Sequence, residues 1–139
     1  MFKKILKRSG KFLTQLSLQF SDMDIKESES ILSIIANECT NLQQIDLGHY
    51  CFNGNVAKLF QPNFHKVEVF KCNINDLDDE NLHHLFSKNE KLKHLKIKAN
   101  CKDRIKVTFL DALSRDCLTH LELNGVEIDG IHFNKVIIH

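Results

Sequence analysis

Apolar residues recur along this chain in a short phrase, L-x-x-L-x-L, whose alternation is that of a strand with one buried face. It occurs at Leu13 (LTQLSL), Leu42 (LQQIDL), Phe64 (FHKVEV), Leu92 (LKHLKI) and Leu118 (LTHLEL), with successive starts 29, 22, 28 and 26 residues apart. Between the phrases the apolar spacing becomes helical. Phe2, Ile5 and Leu6 share a face of a first helix, and Gly10 stands where a helix end favours a left-handed residue. Asp24 and Glu27 have capping-box spacing ahead of the stripe Ile31, Leu32, Ile34, Ile35 and Cys39. The connector from Gly54 to Phe60 is short, and Pro62 blocks its continuation, which accounts for the 22-residue step. The acidic run Asp76, Asp78, Asp79 and Glu80 suits a helix N-terminus, followed by the buried face Leu82, Leu85 and Phe86. Thr108 and Asp111 repeat the capping-box spacing, with Leu110 and Leu113 on one face. The tail from Ile131 to His139 reads as the start of another connector, whose Phe133, Val136, Ile137 and Ile138 need cover.

A period of roughly 20–29 residues carrying this phrase is the signature of leucine-rich repeats. With 42% apolar residues, three fixed apolar positions match by chance at about 7% of windows, so the regular spacing and the helical connectors carry the assignment. The repeat pattern also asks for Asn or Cys shortly after the phrase. Cys72 and Asn100 fill that place, whereas Ser21, Tyr50 and Val126 depart from it. The expected fold is α/β: a leucine-rich-repeat solenoid of about five repeats, with short parallel strands on a concave face and helices on the convex face. It forms a single domain over residues 1–139. Neither end carries the polar cap that terminal repeats need, which predicts truncation at both ends.

Strand alternation then assigns facing. The third position of each phrase turns Gln15, Gln44, Lys66, His94 and His120 outward; the fifth, Ser17, Asp46, Glu68, Lys96 and Glu122; the seventh, Gln19, Gly48, Phe70, Lys98 and Asn124. The expected partner surface is Lys66, Glu68, Phe70, His94, Lys96, Lys98, His120 and Glu122, with Phe70 as its apolar anchor, since aromatic residues dominate interface hot spots. The competing reading is cross-strand charge pairing on a solvated sheet.

A net charge of +1 gives no global pull toward nucleic acid or a membrane. No apolar run approaches the roughly 20 residues that span a bilayer. The basic start MFKKILKR is followed by Ser-Gly-Lys, unlike a secretory signal, and its lysines read as the solvated face of a helix. Five cysteines, an odd number without a C-x-x-C pair, point away from disulfides and structural zinc and toward a reducing compartment, cytoplasmic or nuclear. Nucleotide-binding, hydrolase and zinc-protease motifs are missing, so a non-enzymatic chain without a cofactor is expected. His83 and His84 lack the i, i+4 spacing of a helical metal pair. A remote alternative is a metal ion shared by His94 and His120 from adjacent strands.

The phrases ILKRSGKFLTQLSL (5–18), ECTNLQQIDL (38–47) and LDDENLHHLFSKNEKLKHLKI (77–97) resemble the irregular, long-helix leucine-rich repeats of F-box proteins. In that family a helix runs straight into the strand, as at Asn41-Leu42 and Glu90-Lys91-Leu92 here. The resemblance implies a module that captures a protein substrate for a cullin–RING (SCF) ubiquitin ligase. An F-box opens with an L-P-x-E type phrase; this chain has one proline, Pro62, and no such phrase, so a ligase scaffold is implied only for a longer parent chain. The alternative is a general intracellular repeat scaffold or an inhibitor-type binding protein without a ubiquitin link.

Overall fold

The computed structural model describes residues 1–19, 24–74, 79–99, 105–106, 109–113, 116–128 and 130–139. Ser21, Asp76, Asp78, Asn100 and Thr108 therefore lie outside the described residues. Helices and strands alternate: α1 (Phe2–Ser9), β1 (Gln15–Ser17), α2 (Ile25–Glu38), β2 (Gln44–Phe52), α3 (Gly54–Phe60), β3 (Val69–Ile74), α4 (Asp79–Ser87), β4 (His94–Ala99), β5 (Ile105–Lys106), β6 (His120–Ile128) and β7 (Ile131–Ile138). Asp24 caps α2 by accepting from the Glu27 N–H at 2.8 Å. Asn53 caps α3 in the same way, accepting from the Val56 N–H at 3.0 Å. Gly10 is not left-handed; its φ is −55°. Glycine is suited there because a Cβ would stand 3.0 Å from the Glu38 carbonyl.

Among the described residues seven strands form one sheet, with β1, β2, β3, β4 and β6 parallel neighbours in that order. Parallel crossovers are right-handed, so successive crossovers in one direction put all the helices on one face. Consistent with this, α1, α2, α3 and α4 each touch the next. One hydrogen-bond device repeats at every parallel step. The carbonyls of Thr14, Gln43, Glu68 and Lys93 each accept two successive N–H groups from the following strand, at 2.7–3.1 Å. This puts Leu16, Ile45, Phe70, Leu95 and Leu121 in one lateral row, with steps of 29 (16 to 45), 25 (45 to 70), 25 (70 to 95) and 26 (95 to 121).

The leucine-rich-repeat solenoid expected from the phrases is not the observed fold. The strands are short and unequal, from two residues in β5 to nine in β2 and β6. β5 falls out of chain order, β7 runs antiparallel to β6, and the sheet is not curled. The apolar phrase dictates only that alternate strand residues lie buried beneath helices. It sets neither the curvature of the sheet nor the path of the chain after β6. The tail likewise differs from its reading as a connector: Gly130, at φ 78°, turns the chain back and Ile131–Ile138 pairs with β6. Both β4 and β5 pair with β6 on the edge opposite β7, since β7 already pairs Leu121–Asn124 and Val126–Ile128.

The third phrase begins three residues later than its first apolar residue suggests. Phe64 lies in a 3-10 turn, Phe64–Lys66, and Val67 is the residue equivalent to Leu92. Both FHKVEV and VEVFKC satisfy the apolar pattern, and the second occupies the sheet. The 22-residue step vanishes with this shift.

Between sheet and helices runs a row of phenylalanine rings, edge to face around Phe70 and tilted at its Phe109 end. Phe70 sits at its centre, its ring centroid 5.2 Å from Phe52 and 5.0 Å from Phe64; Phe86 extends the row to Phe109 at 5.2 Å. Asn89, 2% exposed, is the polar counterpart. Its amide donates to the carbonyls of Phe64 (2.8 Å) and Val67 (2.9 Å), and its oxygen accepts from the N–H groups of Lys91 (2.7 Å) and Leu92 (2.9 Å). All four hydrogen-bonding positions of one buried side chain are thus filled.

Candidate functional site: the open face of the sheet

The face of the sheet away from the helices carries a polar ladder. The central strands bury alternate residues, such as Ile45 and Leu47, Phe70 and Cys72, or Leu95 and Ile97, and turn most of the others outward, although Asn73 in β3 is itself buried. Register then aligns the outward residues into lateral rows. The first row is Gln15, Gln44, Val69, His94 and His120; the second is Ser17, Asp46, Lys71, Lys96 and Glu122. A third joins Asn73, Lys98 and Asn124. Antiparallel pairing extends the last two rows onto β7, placing Ile137 beside Glu122 and Lys135 beside Asn124.

The eight residues expected to form one surface divide into three groups. His94, Lys96, Lys98, His120 and Glu122 do come together on this face. Phe70 does not: it is fully buried, and its role as an exposed anchor is corrected to a core position. Lys66 and Glu68 lie at the entrances of the strands. The Lys66 ammonium donates to the Thr40 carbonyl (3.2 Å) and to Asn41 Oδ1 (3.0 Å), while Glu68 pairs with Lys93 at 3.0 Å. The three-residue shift of the third phrase causes these displacements. Lys71, Val69 and Asn73 take the register positions assigned to Glu68, Lys66 and Phe70, Lys71 exposed and Asn73 buried by its neighbours. Gly48, read as an outward position, has φ 57° where the β2–β3 register shifts, and its N–H is held by Asp46 Oδ1 at 3.0 Å.

Glu122 is the electrostatic centre of the face. Its side chain is 13% exposed and stands 3.4 Å from the Lys96 ammonium and 3.5 Å from that of Lys135. The Asn124 amide donates to it at 3.2 Å. That hydrogen bond first, and then the charges of Lys96 and Lys135, hold its carboxyl below the ordinary range against the opposing effect of burial. Among the described residues Lys71 and Lys98 have no such carboxylate partner. They rim a shallow cleft of about 240 Å³ with Asp46, His49, Asn73 and Lys96.

A row of three imidazoles edges the same face. The rings of His94 and His120 lie 5.7 Å apart, and that of His139 lies 4.8 Å from His120. His120 Nδ1 and His139 Nδ1 are 3.1 Å apart, one donating and the other accepting. The pairing of His94 with His120 is legible from their equal positions in two phrases. His139 escapes the phrase pattern because nothing in the apolar spacing marks a returning antiparallel strand; the Asp129-Gly130 pair, a hairpin signal, is the cue the sequence offers.

The thiols suit packing rather than chemistry. Burial, and secondarily the nearby Asp46, pushes the Cys72 thiol far up, and burial with the Glu38 charge raises that of Cys39. Both are neutral thiols in the core, and Cys117 donates to the Glu90 carbonyl at 2.6 Å. Among the described residues, no group of three or more His, Cys, Asp or Glu is arranged to hold a metal ion, and no helix is long and apolar enough to cross a membrane.

Comparison with protein-family models, with curated proteins and with solved structures finds no match to this chain.

Proposed function

We propose that this chain is a non-enzymatic protein-interaction module that receives its partner on the open face of the sheet. The observation that carries the reading is the asymmetry of the two faces. Helices cover one, and the other presents aligned polar rows with Lys71 and Lys98 outside any ion pair among the described residues. Lysines whose charge is not answered within the molecule favour a partner that answers it, and complementary charge sets both encounter rate and specificity. A ubiquitin-ligase role belongs to this reading only through the family resemblance, and only for a parent chain that carries an F-box. A partner held without ubiquitin transfer makes the chain a scaffold or inhibitor.

Site-specific photo-crosslinking tests the reading. A benzophenone side chain at position 71 or 98 is expected to capture the same partner, and one at His83 or Glu29 on the helical layer to capture none. Capture from the helical positions alone, or equally from both sets, would overturn it.

A further inference from the structure

We propose that His120 and His139 form a two-imidazole binding site for a transition-metal ion of the Cu²⁺ or Zn²⁺ type. The two Nδ1 atoms stand 3.1 Å apart. With metal–nitrogen bonds of about 2.0–2.1 Å, that separation corresponds to an N–metal–N angle of about 95–102°, between the square and tetrahedral values these ions prefer. In the metal-free state the two nitrogens share a proton. Ligation through both Nδ1 atoms leaves each neutral ring its proton on Nε2, so the shared proton passes to water while the donating ring takes one up at Nε2, with no net release, and a rotation of the imidazoles about χ2, a broad torsion, turns both lone pairs toward the ion.

The surroundings favour the same assignment. The other nitrogen of His120, Nε2, lies 4.0 Å from Glu122 Oε2. At that distance the carboxylate makes no hydrogen bond, but its charge favours the tautomer with the proton on Nε2, which leaves Nδ1 its lone pair for the ion. Glu122 is itself fixed by Lys96, Lys135 and Asn124, so the orienting group is rigid. The remaining coordination positions belong to water, because the described residues supply no third ligand at bonding geometry. His94, whose ring centroid is 5.7 Å from that of His120, is a neighbour and not a ligand. This differs from the pair His94 and His120 expected from the phrases, and it is independent of the protein-interaction reading. A bound ion would clamp the end of β7 onto β6.

The test is isothermal titration of the full chain with CuCl₂ and with ZnCl₂, followed by thermal unfolding with and without metal. The expected result is one site per chain and a metal-dependent rise in Tm. His120→Ala and His139→Ala should each weaken binding by about 10-fold or more, since even an outer-shell group is worth about 10–100-fold. Glu122→Gln should have a smaller effect, and His94→Ala or the His83→Ala/His84→Ala pair almost none. His139 is exposed at the end of an edge strand, so its loss leaves the fold intact, and circular dichroism checks this. Absence of uptake, or uptake and Tm shift that persist undiminished in His139→Ala, would overturn the proposal.

Discussion

The middle of the sheet and its β7 edge are built on opposite terms. In the middle, β3 is flanked by two parallel strands and covered by helices, and Phe70, Cys72 and Ile74 are all buried. At the edge, β7 pairs with β6 alone among the described residues, and Ile131, Ile137 and Ile138 remain 59%, 44% and 55% exposed. Both segments are rich in apolar residues, so composition does not separate them. The difference is one of cover: an apolar strand residue contributes stability only where a second layer removes it from water.

The largest expected difference comes from Phe70→Ala. It deletes the centre of the aromatic row and should cost about 3–5 kcal/mol in a urea titration, enough to threaten folding. If this variant instead folded normally and lost only partner binding, the burial of β3 would be wrong. Asn89→Ala tests the polar part of the middle. Removing a side chain that makes four buried hydrogen bonds should cost about 2–4 kcal/mol, read as a lowered denaturation midpoint with unchanged slope. Gly48→Ala places a Cβ against the Leu18 carbonyl at a left-handed residue. The backbone strain alone should cost about 1–3 kcal/mol, read by thermal unfolding.

At the edge the effects shrink. Glu122 has a folded pKa below its unfolded value. Its stabilisation is therefore full above about pH 4.3, the ordinary glutamate value, and is lost as pH falls through the lower folded value. Glu122→Gln should flatten this part of the acid-unfolding curve while leaving that of Asn89→Ala steep. Ile137→Ser should move stability by no more than about 0.5 kcal/mol. A loss comparable to that of Phe70→Ala would erase the contrast between the two regions and imply that β7 is covered in solution.

Much of this architecture is legible in the chain because two physical periods are. Period two within LQQIDL and LKHLKI places β2 and β4, and the Asp24–Glu27 spacing places the start of α2. The register of β3 is not legible. Phe64, Val67, Val69, Phe70 and Cys72 offer two overlapping apolar frames, and only packing chooses between them: Phe64 fills a turn under the sheet and Phe70 the centre of the row. Lys66, Glu68 and Phe70 all stand away from their expected places for that single reason. The solenoid extrapolates from local pattern to global shape, and curvature depends on how layers pack, which no single phrase encodes. The tail does not read as a strand because IHFNKVII lacks clean alternation. It becomes one by pairing with β6, with Phe133 half-buried and Val136 packed against the core.

The repeated carbonyl forks at Thr14, Gln43, Glu68 and Lys93 also have a kinetic meaning. Each parallel pairing joins strands roughly one helix apart in the chain, so each closes a loop of similar and modest length, and loop-closure entropy changes little from one to the next. Amide exchange should therefore be slowest at β3 and β4, the strands furthest from either edge of the sheet. It should quicken stepwise toward β1 in one direction and β7 in the other, so that the molecule opens from its ends inward.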